Sequence, residues 1–117
     1  MARVIKRGDF WIVNLEPGFG REIHKRRPGL IISNNDINLG HHAIVIPSSS
    51  IVPAVHTAEI ITLGKPKGFD EESVLVPVFI RNIDQDRLIK KVGTISKNKM
   101  REIEEVIKLV LGIDPLE

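Results

Sequence analysis

The chain has 117 residues, enough for one domain with a single core, and its 42% hydrophobic and 27% charged residues exclude disordered, collagenous and coiled-coil classes. Lys and Arg number 17 against 15 Asp and Glu, so at a net charge of +2 the overall field is weak and anion binding requires local clustering. No cysteine is present, which excludes disulfides, thiolate metal sites and cysteine nucleophiles.

The opening MARVIKRGDF is basic but has no apolar h-region. No apolar run approaches the roughly 20 residues of a membrane helix, and the lack of cysteine makes a cytoplasmic address the default expectation. DFWIVNL (9–15) alternates Phe10, Ile12 and Asn14 with Trp11, Val13 and Leu15 and reads as a strand that ends at the Pro17-Gly18 turn. EPGFGRE (16–22) reads as a flexible loop. GLIIS (29–33) is a continuous apolar run of strand length, suited to burial on both faces. NNDINLG (34–40) is a polar turn or one helical turn. AIVIPS (43–48) predicts a strand stopping near Pro47, and TAEIITL (57–63) predicts another. SVLVPVFI (73–80) is strand-like, at an edge or with a bulge at Pro77, which cannot donate to a ladder. If Pro77 makes no bulge, Val78 extends an apolar row and is expected in a core or interface. LIKKVGTI (88–95) completes the strands. From Ser96 the period becomes 3.6, with Met100, Ile103, Val106, Ile107 and Val110 in one stripe, Ser96 as cap and Gly112 as stop. Short strands at close spacing plus one terminal helix predict a single mainly-β domain over 1–117, a small, curved antiparallel barrel with a C-terminal α-helix.

Four histidines are present, His24, His41, His42 and His56, without metal-ligand spacing. No phosphate-cradling glycine loop or dinucleotide fingerprint occurs. Two stretches carry chemistry. In HKRRPGLIISNND (24–36) the cations Lys25, Arg26 and Arg27 stand at the mouth of an apolar run, and residues 20–29 hold a local +3. Pro28 pushes Arg27 into extended backbone, so the sheet fixes its direction. The cluster is either a solvated loop end or the seat of an anion. In IPSSS (46–50) three hydroxyls follow a strand. They either bond their own backbone in a turn or donate to phosphate oxygens.

RGDFWIVNLEPGFGRE (7–22), RPGLIISNN (27–35), AIVIPSSS (43–50) and IRNIDQDRLIKKVGTIS (80–96) together resemble the MazF/PemK family of toxin endoribonucleases, in the family's order and over nearly the whole chain. The resemblance implies the SH3-like barrel of the MazF/PemK/CcdB-like toxins, a homodimer, and metal-independent cleavage of single-stranded RNA at short sequences, with no cofactor. It implies 2′,3′-cyclic phosphate and 5′-hydroxyl products and a cognate antitoxin that covers the RNA groove. The family's catalytic arginine falls on Arg27 and its catalytic Thr or Ser on Ser49, beside Ser50. Its arginine before the Ile-Asp pair falls on Arg81. Arg21, His24, Lys25, Arg26, Ser50 and Arg81 are the expected RNA-binding residues, with Phe79 either a stacking platform for an RNA base or a core residue. The chain departs from the family at Val78-Phe79, where an acidic residue and Gln are usual.

In-line cleavage requires deprotonation of the 2′-hydroxyl, stabilisation of phosphorane charge and protonation of the leaving oxygen. Arg27 suits the second task because its planar fork holds two phosphate oxygens. His24 is the nearest candidate base. Two other readings remain: a binding module of the same shape that does not cut RNA, and a protein-directed toxin of the gyrase-poisoning branch.

Overall fold

The computed structural model describes residues 3–51 and 59–113 of the chain. Its strands are β1 (Asp9–Asn14), β2 (Arg26–Ile31), β3 (His42–Ser49), β4 (Ile61–Gly64), β5 (Ser73–Leu75), β6 (Arg81–Asp84) and β7 (Leu88–Thr94). A one-turn helix α1 (Asn35–Asn38) joins β2 to β3, and α2 (Lys97–Val110) follows β7. The strand order is β4-β5-β3-β2-β1-β7, with β6 also paired to β3. Every pairing is antiparallel. The result is a curled, mainly-β half-barrel with a C-terminal helix.

Strand alternation explains why the sheet carries two cores. From β1, Trp11 and Val13 face a cluster with Ile31, Val45 and Ile83. Phe10 faces the other way, into a cluster with Leu30, Ile46, Met100, Ile103 and Val106. The second cluster is the seat of α2, whose predicted stripe is the buried one. Ser96 Oγ accepts the Lys99 N–H at 3.1 Å, and Gly112 takes the left-handed conformation at φ +68°. Ile103 has no exposed surface, so truncation to alanine costs about 2–5 kcal/mol.

Three expectations are corrected. β2 begins at Arg26, three residues before the apolar run, so Arg27 lies within the ladder opposite Val13. β3 does not stop at Pro47 but continues to Ser49. Pro47 pairs with Gly29, and a Cβ at Gly29 would stand 3.0 Å from Val13 Cγ2, so the glycine makes room for close strand packing there. Residues 73–80 are not one strand. β5 ends at Leu75, and Pro77 opens a 3₁₀ turn over Pro77–Phe79. A 3₁₀ turn repeats every three residues, so the strand alternation that put Val78 in a core row does not apply. Val78 is 60% exposed. Of the histidine pair, only His42 belongs to β3. His56 and residues 57–58 lie outside the described residues.

Candidate RNA interface

The loop between β1 and β2 brings the first cation cluster to the end of the sheet. Its neck is closed by polar bonds. The Leu15 N–H donates to the Lys25 carbonyl at 3.0 Å. The Glu16 carboxylate accepts the Lys25 N–H at 2.9 Å and lies 2.8 Å from His24 Nδ1. Arg87 Nη1 donates to the carbonyls of Asn14 and Glu16, at 3.0 and 2.6 Å. Lys25 sits at φ +75°, a left-handed conformation unusual for a side chain larger than Asn. The Lys25 N–H, and then His24, hold the Glu16 carboxyl below its ordinary pKa.

This neck orients Arg27. Its Nε donates to the His24 carbonyl at 2.8 Å and its Nη1 to the Ser48 carbonyl at 3.1 Å. Among the described residues no partner engages Nη2. The guanidinium is half-buried, and burial lowers its pKa from the ordinary value. It remains a cation, because arginine does not deprotonate in proteins. Two of its three nitrogens are thus braced, and Nη2 is left to donate to an oxyanion.

The three serines separate by strand alternation. Ser48 is buried and donates to the Pro28 carbonyl at 2.6 Å. Ser49 is half-buried, pairs with Val74 of β5, and its Oγ accepts the Ile51 N–H at 3.1 Å. The β2–β3 register pairs Gly29 with Pro47. Extended by two residues, it sets Ser49 across from Arg27. Ser50 is exposed and shares a cleft with Ser48.

Two clefts flank the segment 22–27. The first, about 360 Å³, takes Lys25, Arg26, Arg27 and Ser50 on one side and Asp70 and Glu71 on the other. The second, about 300 Å³, is lined by Glu22, Ile23, Val78, Phe79, Ile80 and Arg81. Phe79 and Arg81 therefore stand together, apart from the cleft of Lys25, Arg26 and Ser50. Arg81 starts β6 opposite Val45 and is half-buried. Arg21 is exposed on the turn at the loop tip and lines neither cleft. Sequence reasoning missed Glu16, Asp70 and Glu71. Glu16 looked like a loop residue before a turn, and the acidic pair is more than 40 residues from Arg27. Among the described residues no group of three His, Asp or Glu is placed to hold a metal. None of their helices is long and apolar enough to cross a membrane.

Comparison with known proteins agrees with this architecture. Endoribonuclease MazF9 of Mycobacterium tuberculosis is 28% identical over 116 residues, covering 94% of this chain and 98% of that protein. The crystal structure of MazF from Deinococcus radiodurans superposes with a TM-score of 0.80 at 21% identity, covering 95% of this chain and 99% of the other. A MazE–MazF structure from the same organism gives a TM-score of 0.78 at 21% identity, covering 97% of this chain and 100% of that one. The family model of the PemK-like, MazF-like toxins matches residues 6–111. The half-barrel with an arginine braced at its mouth thus belongs to the PemK-like, MazF-like toxins of type II toxin–antitoxin systems, as a homologue of the MazF endoribonucleases.

Proposed function

We propose that the protein is a metal-independent, sequence-selective endoribonuclease that cuts single-stranded RNA to 2′,3′-cyclic phosphate and 5′-hydroxyl ends. The observation that carries this reading is the bracing of Arg27. Its Nε and Nη1 are held by the carbonyls of His24 and Ser48, while Nη2 faces no protein partner among the described residues. A guanidinium fixed in this way stabilises phosphorane charge without reorganising during the reaction. Ser49, across the strand pair, supplies a hydroxyl donor to the same phosphate. The Glu16 carboxylate faces His24 Nδ1 at 2.8 Å, which favours the tautomer with the lone pair on Nε2. Nε2 is then the candidate acceptor for the 2′-hydroxyl proton. Lys25 and Arg26 contact the RNA backbone with Arg21, Ser50 and Arg81, and Phe79 offers its ring to a base.

The same reading makes residues 1–117 one domain of a cytoplasmic toxin that acts as a homodimer and is held in check by a cognate antitoxin. The relative from Deinococcus radiodurans was crystallised as MazE–MazF, which supports the antitoxin. The departure at Val78-Phe79 supports a second reading, a MazF-like module that binds RNA or protein with little or no cleavage. Purified protein incubated with a long unstructured RNA and a chelator separates the two. Cleavage yielding 5′-hydroxyl ends is expected. Intact RNA, or cutting only after a divalent metal is added, would overturn the nuclease reading.

A further inference from the structure

The first cleft is walled by opposite charges that do not meet. Lys25 and Arg26 stand on one side, Asp70 and Glu71 on the other. None of these four side chains takes part in an ion pair among the described residues. The acidic wall is held firmly. Phe69, just before it, is buried and meets Phe10 edge-on, with centroids 5.0 Å apart and planes at 87°. Its N–H donates to the Pro66 carbonyl at 3.0 Å. Ser73 Oγ donates to the Glu71 carbonyl at 3.1 Å. Between them the lining includes the apolar side chains of Ile12 and Phe69.

Such a space repels a bare phosphate at one wall and a bare cation at the other. Its complement is a molecule with an anionic end, a flat apolar middle and an edge of polarised N–H groups. A nucleotide has those three parts, and about 360 Å³ falls in the range of small-molecule sites. We propose that this cleft is a base-specificity subsite for one nucleotide of the RNA strand, adjoining the phosphate held by Arg27. The nucleotide's own phosphate lies toward Lys25 and Arg26. Its base edge lies toward Asp70 and Glu71 and is guanine, whose N1–H and N2–H₂ lie side by side and match the two oxygens of a carboxylate. Uracil presents a single N3–H flanked by two carbonyl oxygens there, so the second carboxylate oxygen meets a lone pair and uracil is disfavoured. The inference rests on the endoribonuclease reading for its role, but not for the binding itself.

The test is a titration of isotope-labelled full chain with 5′-GMP and, separately, 5′-UMP, followed by amide shifts. GMP is expected to bind about tenfold more tightly, the discrimination of one bidentate base contact, and to shift residues 68–73 and 25–27. In Asp70→Asn/Glu71→Gln, which keeps shape and removes charge, the two nucleotides are expected to bind within about twofold, while spectral dispersion shows the fold retained. Equal binding to the native chain, or a preference unchanged in the variant, would overturn the subsite. So would shifts confined to the Phe79 side. On a long RNA of mixed sequence, mapped ends of the native protein are expected to enrich guanine at one position beside the cut, and those of the variant to lose it. A chain that binds GMP here but leaves RNA intact loses the nuclease reading alone. One that cuts RNA with the same site preference in both forms loses the subsite alone.

Discussion

The two clefts beside the β1–β2 loop are built from different forces. The charged one is set by polar bonds: Glu16 to the Lys25 N–H, Arg87 to two carbonyls, and Ser73 to the Glu71 carbonyl. The other is shaped by a proline-initiated 3₁₀ turn and walled largely by Ile23, Val78, Phe79 and Ile80. Charge attracts RNA over several ångströms and weakens as salt rises, whereas an aromatic platform acts only on contact and tolerates salt. On the proposed nuclease reading, the charged side gathers the strand from a distance, and the Phe79 side adds a contact that salt does not weaken.

The largest effect is expected at the braced arginine of the charged cleft. Arg27→Ala is expected to lower RNA cleavage by at least about 10³-fold with the fold retained, its melting temperature falling only by the loss of two bonds to the His24 and Ser48 carbonyls, because a half-buried strand-mouth cation adds little to either core. Arg27→Lys is expected to fail as well, since a point charge lacks the fork. Ser49→Ala should cost less, on the order of 10²-fold for one donor at a transition-state oxyanion. An effect at Ser50→Ala without one at Ser49→Ala, in the same cleavage assay, would transfer the role to the serine in the charged cleft.

The apolar side is tested by Phe79→Ala. A stacking platform loses about 1–3 kcal/mol of affinity for a non-cleavable RNA, with little change in melting temperature. A drop of several degrees with affinity retained would make the ring a packing element. The charged side is tested by Lys25→Ala/Arg26→Ala. The dependence of log affinity on log salt is expected to become shallower by about 0.7 for each phosphate that the variant no longer neutralises, a change that Phe79→Ala should not produce.

The smallest effect concerns the neck. The pKa of Glu16 is lowered in the fold, first by the Lys25 N–H and then by His24. Its hold on the loop is therefore complete above the ordinary carboxylate range and is lost as pH falls through the lowered value. The Lys25 amide signal should move with that transition and stay still in Glu16→Gln. The same movement in both proteins would assign the transition to another group.

The parts of this molecule written in one local pattern could be read from the sequence. The stripe of Met100, Ile103, Val106, Ile107 and Val110 is α2 facing its cluster, because a helix repeats its contact every turn. The alternation of 9–15 is likewise β1. Proline was harder, because its effect depends on its neighbour across space. Pro47 lies inside β3 opposite Gly29, and Pro77 begins a turn, although both follow apolar runs. Arg27 was visible as a cation before Pro28, but its bracing by His24 and Ser48 depends on a loop closed by Glu16 and Arg87. Asp70 and Glu71 were opaque for the same reason. They sit between two strands and come to line the same cleft as the cations only through the curl of the sheet.

Gly68 gives that curl a genetic meaning. It holds φ +94°, and a Cβ there would run into the carbonyl of Val92 on β7, pushing away the turn that carries Phe69, Asp70 and Glu71. In cells that survive by silencing a toxin of this family, escape alleles will gather at position 68 as well as at 27. On the proposed nuclease reading, those at 27 erase a reagent and leave the vessel intact. Those at 68 deform the vessel and leave every reagent encoded, so a catalogue of survivors records two kinds of lesion that the growth phenotype alone does not tell apart.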